Sequence, residues 1–588
     1  MKLVRRIVLA TALLSTCALA QPPSAHPAGE PWWKAALFYE IYPRSFADSN
    51  GDGVGDLNGI TQHLDYLQQF GVDAIWITPM YPSPQVDFGY DISNYEAVDP
   101  QYGSLSDMDR LISAAHQRHL KVLLDMVLNH TSDRHPWFIA SSSSRDNPKS
   151  DWYVWNDGVD THAPGVTPFQ QRYVHDGRVP PNNWESVFGG SAWQWVPARH
   201  QFYYHRFYAQ QPDLNWRNPA VEKAMFAAMR FWLDRGVDGF RLDAISTLFE
   251  DPKLHNDPQL PGTNDQGDPN LRSQYSDNLP EVHDVLRRMR AMVQSYPGDR
   301  VLIGETYTPD VAELEKWYGG ARHDELQLPM DTVPGFGDQA NFSADWFRKS
   351  LQASQQVTGE PLIVFDNHDN ARSIDRFGDG THNVARAKVI AALLLTTRAS
   401  ALTYYGAPIG MVTSTPKRKQ DVRDPQGITG WPKNKGRDGE RTPMQWTPGF
   451  QAGFSTAQTT WLPVNGDYRT VNVQSELQQP DSLLNWYRQL IALRKSEPAL
   501  RDGAMQFLDT SNANVLTFRR AGPQPVIVVM NFSNAPQPLD TSMASGRVIT
   551  LAATASQLLH RTTLQGATLP PYGVWVFKPV GVTLHMAR

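Results

Sequence analysis

Four short segments of this chain carry carboxylates and histidines, each directly after an apolar run. The segments span residues 125–130, 239–243, 303–305 and 365–369. The apolar runs predict buried parallel strands, and the carboxyl ends of such strands are where a (β/α)8 barrel places its reactive side chains. We therefore expect three carboxylates, two histidines and an arginine from these segments to meet at one barrel mouth.

Asp243 and Glu305 are suited to breaking a glycosidic bond with retention of configuration. That reaction needs one carboxylate as nucleophile and one protonated carboxyl group as acid/base, on opposite faces of the sugar ring. Arg241 lies two residues before Asp243 on the same strand, so it faces the same side and would keep Asp243 ionised. Burial beside other carboxylates would raise the pKa of Glu305 and hold its proton near neutral pH.

Asp369, His130 and His368 complete the predicted site. Asp369 would be its third acid, and the two histidines would hydrogen-bond sugar hydroxyls. Taken singly, each acid is better explained as a structural strand-end residue or a helix cap. The ordered set favours a catalytic site, because several independent accidents would otherwise have to coincide.

The composition of the chain is that of a large globular protein. Its 588 residues suffice for two or three domains, and 41% of them are hydrophobic and 19% charged. The net charge of -6 gives no basis for binding nucleic acid or an anionic membrane surface. The 18 Trp and 21 Tyr residues fit either a large core or rings that stack on sugar faces.

Residues 1–20 have the pattern of a cleavable signal peptide, with basic residues, a short apolar run and small residues before the cleavage point. We expect export to the periplasm or the medium, followed by a linker over 21–31. The apolar run is too short for a permanent membrane anchor. Alternatives are an N-terminal helix of the fold and lipidation at Cys17, although Thr16 fits a lipidation motif poorly. Since Cys17 is the only cysteine, the mature protein would have no disulfide.

Strand and helix patterns alternate over residues 32–130 and 214–498, with the first helix over 60–70, and this alternation predicts an α/β barrel. The stretch 131–213 is rich in Trp, Tyr, Asn, Pro and Gly. It predicts an inserted domain after the third strand, because a structureless loop of that length is uncommon in a compact domain. From 499 to 588, short strands between Gly, Pro and Asn residues predict an antiparallel β domain.

The four segments resemble the characteristic motifs of the α-amylase family of glycoside hydrolases, in particular its α-glucosidase and oligo-1,6-glucosidase branch. The likeness covers the chain from residue 32 onward and implies a TIM barrel, an inserted domain after strand 3 and a C-terminal β-sandwich. It also implies the catalytic acids: the nucleophile Asp243, the proton donor Glu305 and the transition-state stabiliser Asp369. The residues that it implies against the glucose at the cleaved bond are His130, Arg241 and His368.

Two further segments resemble the family's closure of the pocket. By this resemblance Asp87 holds the O4 and O6 side of the non-reducing glucose, and Tyr90 is its stacking platform. In the segment 436–446, Arg437 corresponds to the arginine that pairs with that acid, with Arg441 as the alternative. Such an ion pair would admit only a terminal glucose. For both arginines, a solvated loop with structural salt bridges is the other interpretation.

The resemblance also predicts the substrates, which are short oligosaccharides or disaccharides. Residues 211–215 resemble the signature of the oligo-1,6-glucosidase-like members and argue against an endo-acting starch enzyme. Ala244, directly after the nucleophile, favours an α-1,4 over an α-1,6 preference. Interception of the retaining intermediate by a sugar hydroxyl would give transglucosylation. Alternatives are a sucrose hydrolase, a sucrose isomerase or a trehalose synthase and, more remotely, a non-catalytic relative of the family.

Residues 48–56 carry oxygen-bearing side chains at alternate positions, with glycines between them. This pattern predicts a site for a hard cation, Ca²⁺ or, if several waters remain bound, Mg²⁺. It is not an EF-hand, because the closing Glu is missing. The loop resembles the structural cation loop of the α-glucosidase branch, and a metal-free turn is the alternative. The implied ligands are Asp48, Asn50, Asp52, the Val54 carbonyl and Asp56.

Overall fold

The computed structural model describes residues 29–264, 266–508, 512–540 and 546–580. The predicted signal peptide at 1–20, Cys17 and most of the predicted linker at 21–31 lie outside the described residues. Each helix within those ranges is too short or too polar to cross a bilayer.

Eight parallel strands close into the barrel predicted from the sequence. Each strand pairs with its sequence neighbours, and the first pairs with the eighth. Phe38, Trp76 and Leu123 belong to the set of strand side chains that fills the barrel interior, while the alternate residues pack outward against the helices. The strands are β1 Leu37–Ile41, β2 Ala74–Ile77, β3 Lys121–Val127, β4 Gly239–Asp243, β5 Val301–Gly304, β6 Leu328–Asp331, β7 Leu362–Val364 and β8 Ser400–Tyr404.

Helices surround the barrel, and several begin at residues whose side chains cap the first turn, among them Ser104, Asn218 and Ser343. The single helix expected over 60–70 is instead two helices that meet at His63. The ring of His63 accounts for the break, because its Nδ1 contacts the Gly59 carbonyl at 2.8 Å. The main barrel helices are Leu57–Gln62, Leu64–Phe70, Leu105–Gln117, Pro219–Asp234, Glu281–Gln294, Val311–Lys316, Ala344–Ser354, Asn383–Thr396 and Leu483–Ser496.

The inserted domain between β3 and β4 has its own aromatic core. Trp184, Trp193 and Phe202 are buried together there. Trp184 Nε1 donates to the His255 carbonyl at 3.0 Å and so joins the domain to the long loop after β4. The ordered elements of the domain are the helix Pro136–Ser143, a three-stranded sheet of Trp155–Asn156, Trp193–Val196 and Gln201–Tyr204, and the strand pair Val159–Asp160 with Arg178–Val179.

An antiparallel sheet forms the C-terminal domain, from β9 Met505–Phe507, β10 Val515–Arg520, β11 Val526–Asn531, β12 Arg547–Ala553 and β13 Val574–Val580. Its strand order is β9-β10-β11-β13-β12. Trp575 and Phe577 lie in a second core between this sheet and the small strand pair Gln537–Pro538 with Thr568–Leu569. Arg520 Nη1 donates to the Thr396 carbonyl at 2.6 Å and ties the domain to the barrel.

Candidate active site

Arg241 is the residue around which the predicted catalytic carboxylates meet. It lies on β4 directly opposite Asp125 of β3, and its side chain is 1% exposed. Arg241 Nη1 donates to Asp125 Oδ1 at 3.0 Å and to Asp243 Oδ1 at 2.6 Å. Arg241 Nη2 lies 2.8 Å from Glu305 Oε2. The predicted nucleophile and proton donor therefore share one buried guanidinium.

Burial sets the protonation of these acids. It raises the pKa of Asp243 to about 7 and that of Glu305 to about 7, although attraction to Arg241 opposes both shifts. The expectation that Arg241 keeps Asp243 ionised is therefore wrong near neutral pH, because burial outweighs the guanidinium. Burial likewise raises the pKa of Asp125 to about 6. Because one guanidinium cannot neutralise three carboxylates, the group holds a shared proton near neutral pH. One ionised and one protonated acid is the charge state that a nucleophile and an acid/base require.

Asp369 is held in the ionised state by its neighbours. Arg437 Nη1 and Arg441 Nη2 both donate to its Oδ1, at 2.9 and 2.8 Å, while its Oδ2 lies 3.2 Å from His368 Nε2. Burial alone would raise the pKa of Asp369. Attraction to His368 and to the two guanidinium groups outweighs burial and holds this pKa well below its ordinary range.

The ion pair expected at the end of the pocket is formed by Arg437. Its Nη2 donates to Asp87 Oδ1 at 2.7 Å. The alternative partner Arg441 instead binds Asp369 and donates from Nε to the His368 carbonyl at 2.8 Å. The side chains of Arg437 and Arg441 are 11% and 0% exposed, which does not fit the interpretation as a solvated loop.

Tyr90 and His368 form a fixed aromatic pair. Their ring centroids are 5.2 Å apart with the planes 10° from parallel, and the Tyr90 hydroxyl lies 2.7 Å from His368 Nε2. The same hydroxyl donates to Asp125 Oδ2 at 3.0 Å. His368 Nδ1 in turn contacts Glu40 Oε1 at 2.6 Å. These contacts hold the Tyr90 ring in one orientation, as a stacking platform requires.

His130 is a neutral hydrogen-bonding group beside Asp87. Gln211 Nε2 lies 3.2 Å from both Asp87 Oδ2 and His130 Nε2, and His130 Nε2 lies 3.1 Å from the Tyr90 carbonyl. Burial lowers the pKa of His130 to about 3, so its ring is uncharged near neutral pH. The structure thus brings all nine predicted catalytic and sugar-binding residues into one connected network.

Sequence reasoning missed three buried carboxylates that support this network: Asp125, Glu40 and Asp424, all of them 0% exposed. Asp125 stands in the first of the four segments and on a strand face that the alternation of β3 identifies, so a sequence signal for it existed. Glu40 contacts a histidine 328 positions later in the chain, and Asp424 is the N-cap residue of the short helix Pro425–Gly430. The Asp-Pro pair at 424–425 marks the start of that helix, but nothing local in the sequence links Asp424 or Glu40 to the site.

Ala244 connects the nucleophile to the proton donor through its backbone. Its φ of 43° and ψ of 40° are left-handed, a conformation that costs a non-glycine residue about 1 kcal/mol or more. In this conformation its N–H donates to Glu305 Oε2 at 2.9 Å. The strained turn after Asp243 therefore helps to fix the carboxyl group of Glu305.

The predicted cation loop folds around its own carboxylates. The side chains of Asp48, Asp52 and Asp56 accept hydrogen bonds from backbone N–H groups, and Gly51 and Gly53 turn the chain at φ values of 80° and 91°. Oxygen donors of this kind fit a hard cation. Over the described ranges, however, no three His, Cys, Asp or Glu side chains converge as a metal site would. The same contacts also suit the metal-free turn named as the alternative.

Comparison with known proteins gives one family and close relatives. The family model described as "Alpha amylase, catalytic domain" matches residues 40–503. A probable alpha-glucosidase from Rhizobium meliloti (strain 1021) is 40% identical over 531 residues, which cover 86% of this chain and 90% of that protein.

Solved structures superpose over nearly the whole chain. An alpha-glucosyl transfer enzyme, XgtA, is 39% identical with a TM-score of 0.82, and the match covers 94% of this chain and 100% of that one. The trehalulose synthase MutB from Pseudomonas mesoacidophila MX-45 is 33% identical with a TM-score of 0.81, over 94% of this chain and 100% of that one.

Proposed function

The chain belongs to the α-amylase family of glycoside hydrolases, and from that premise we propose that it is a retaining, exo-acting α-glucosidase. It would release glucose from the non-reducing ends of short α-glucosides. The observation that carries the proposal is the Asp87–Arg437 ion pair next to the catalytic acids, because it closes the pocket behind one terminal sugar.

The proposed mechanism assigns one task to each acid. Asp243 attacks the anomeric carbon while Glu305 transfers its proton to the glycosidic oxygen, so the leaving group departs with that proton. The ionised Glu305 then takes a proton from water, whose oxygen attacks the anomeric carbon and displaces Asp243. Asp369, ionised throughout, stabilises the positive charge that develops on the sugar ring in both steps.

The sugar-binding contacts follow from the same arrangement. Asp87, His130 and Gln211 form the polar end of the pocket, and the Tyr90 ring provides the face on which a glucose ring stacks. A buried ion pair has no room behind it for a second sugar unit. We therefore propose disaccharides and short oligosaccharides as substrates, and no endo-cleavage of polysaccharides.

Transfer to a sugar hydroxyl is part of the proposal. An acceptor hydroxyl in place of water would attack the glucosyl intermediate by the same step, with Glu305 taking its proton. The structural likeness to an enzyme described as an alpha-glucosyl transfer enzyme supports this activity. Ala244 supports a preference for α-1,4 linkages, on the resemblance to the α-glucosidase branch.

A second candidate function is sucrose isomerisation. The likeness to a trehalulose synthase favours it. The sequence of residues 366–370, which also occurs in sucrose isomerases, favours it as well. Sucrose hydrolysis and trehalose synthesis would use the same acids. A non-catalytic role is disfavoured, because Asp243, Glu305 and Asp369 are all present and in mutual contact with arginines.

Product analysis on maltose, isomaltose, sucrose and trehalose separates these candidates. The α-glucosidase proposal expects glucose from maltose as the fastest reaction, with transfer products at high maltose concentration. Conversion of sucrose to an isomer with maltose left intact would overturn it. We further propose that the protein is exported by its N-terminal segment and that the loop 48–56 binds a structural Ca²⁺, or Mg²⁺ in its place.

A further inference from the structure

We propose that Asp424 is a positioning residue that holds Arg437 edge-on, so that Arg437 reaches Asp369 through a single N–H. The inference rests on the proposed function, since Asp369 is its stabilising acid. It assigns a role to a carboxylate that does not itself contact Asp369 or Asp87.

Asp424 grips one edge of the Arg437 guanidinium. Its Oδ2 accepts from Arg437 Nε at 2.9 Å and its Oδ1 accepts from Arg437 Nη2 at 2.9 Å. The backbone N–H of Arg437 also donates to Asp424 Oδ2, at 2.7 Å. This two-point contact with a fully buried carboxylate fixes the plane of the guanidinium.

The two-point contact with Asp424 determines which N–H groups of Arg437 remain free to bind residues of the sugar pocket. With the Nε edge occupied, Nη2 reaches Asp87 and Nη1 reaches Asp369 Oδ1, each by one hydrogen bond. Arg441 donates to the same oxygen of Asp369. Neither guanidinium therefore binds Asp369 Oδ2, which lies 3.2 Å from His368 Nε2 and remains available to a bound sugar.

Without Asp424, the Arg437 guanidinium would be free to form a two-point contact with Asp369. Such fork-like pairing is the geometry that arginine and carboxylate prefer. It would occupy both oxygens of Asp369 and loosen the contact with Asp87. The expected consequence is a weaker hold on the glucose ring and less stabilisation of the transition state.

Asp424 is itself held rigidly. Its backbone N–H and that of Arg423 donate to the carboxylate of Asp438, at 3.0 and 2.6 Å. Asp438 directly follows Arg437 in the chain, so the loop is tied back beside the residue that it positions. Burial opposes ionisation of Asp424, but attraction to Arg437 prevails and lowers its pKa to about 2. The carboxylate is thus ionised and immobile over the working pH range.

The test is the Asp424→Asn variant, which keeps the size of the side chain and removes its charge. We expect kcat/KM for maltose to fall on the order of 10- to 100-fold, and the Kd for glucose to rise. Asp421→Asn is the matched control, because Asp421 is an acid of the same loop that pairs with an arginine, Arg418, on the surface. Its kinetics should equal those of the wild type.

A double-mutant cycle with Arg437→Lys separates positioning from general stability. Lysine cannot form the two-point contact with Asp424 that a guanidinium forms. Adding Asp424→Asn to Arg437→Lys should therefore cost little further activity. A full additional loss in the double variant would overturn the role, as would an Asp424→Asn variant with wild-type kcat/KM and glucose Kd. If Asp424→Asn does not fold, Asp438→Ala, which releases the backbone of Asp424, must lower kcat/KM in the same direction. An Asp438→Ala variant with full activity would overturn the proposal.

Wild-type turnover on the same substrates separates a failure of the proposed α-glucosidase function from a failure of the role of Asp424. A wild type that releases glucose from no α-glucoside overturns the proposed function and this role with it. An active wild type together with a fully active Asp424→Asn variant overturns the role of Asp424 alone.

Discussion

Asp87 Oδ1 accepts a 2.7 Å hydrogen bond from Arg437 Nη2, although the two residues are 350 positions apart in the chain. The pair joins the loop after β2 to the loop after β8, the two strands that flank β1 in the barrel. It therefore closes the pocket only when both ends of the barrel sequence are folded together.

Removing the Asp87–Arg437 ion pair should weaken catalysis and allow longer substrates into the pocket. In Arg437→Ala, Asp87 and Asp369 each lose a charged donor, and kcat/KM for maltose is expected to fall at least on the order of 100-fold. The loss should be smaller on long maltooligosaccharides, because the pocket end is then open to further sugar units. Steady-state kinetics over a maltooligosaccharide series measure the ratio of kcat/KM for long substrates to kcat/KM for maltose, in the variant and in the wild type.

Arg418→Ala is the control for that series, since Arg418 lies on the same loop and is exposed. It should keep the wild-type preference for short substrates. An Arg437→Ala variant with an unchanged chain-length preference would contradict the closure of the pocket by Asp87 and Arg437.

The pH profile of kcat/KM should be bell-shaped and centred near pH 7. Burial raises the pKa values of Asp243 and Glu305 to about 7 each, and the coupled pair titrates in two steps on either side of that value. Below the lower step the nucleophile is protonated, and above the upper step the acid has lost its proton. Because the pKa of Asp369 lies well below its ordinary range, Asp369 adds no third limb.

Glu305→Gln tests which group forms the alkaline limb. With α-glucosyl fluoride, whose leaving group needs no proton, the rate of fluoride release in a single turnover of the variant should show no decline above pH 7 and should keep the acidic limb. Glu96→Gln changes an exposed acid and should keep both limbs. Persistence of the alkaline decline in Glu305→Gln would assign it to another residue.

Removal of a divalent cation should lower thermal stability without changing catalysis. If Ca²⁺ binds at residues 48–56, EDTA should lower the thermal midpoint by roughly 2–4 °C, and added Ca²⁺ should restore it. The value of kcat at 25 °C should stay the same, because that loop contacts none of the catalytic acids. Differential scanning calorimetry with and without EDTA measures the shift.

Asp52→Ala gives the matched comparison for the EDTA experiment. It removes an exposed oxygen donor of the loop and should abolish the sensitivity of the thermal midpoint to EDTA, whereas Glu96→Gln should retain it. A wild type with identical midpoints in EDTA and Ca²⁺ would support the metal-free turn instead.

The barrel and most of the site were predictable because their signals are local. Apolar runs followed by acids mark β3, β4, β5 and β7, and alternation along β4 sets Arg241 beside Asp243. The bond from Asp125 to Arg241 depends on the cross-strand register of β3 and β4, which the sequence alone does not determine. The segment containing Asp125 could be predicted, but its role could not.

The remaining errors have the same physical origin. Glu40 and Asp424 act through partners brought near them by tertiary folding, and neither stands in a recognised motif. The break at His63 likewise depends on its surroundings, because its ring packs 4.0 Å from that of Trp446. Domain limits and the cation loop remain predictions from the sequence.

The covalent glucosyl–Asp243 ester can be detected by mass spectrometry once its hydrolysis is blocked. In Glu305→Gln treated with α-glucosyl fluoride, the ester should form and then persist, because the base that activates water is missing. We expect a glucosyl unit on the peptide that contains Asp243 and no adduct in the double variant with Asp243→Asn. A glucosyl unit on a different residue, or release of β-glucose by the wild type without any adduct, would contradict it.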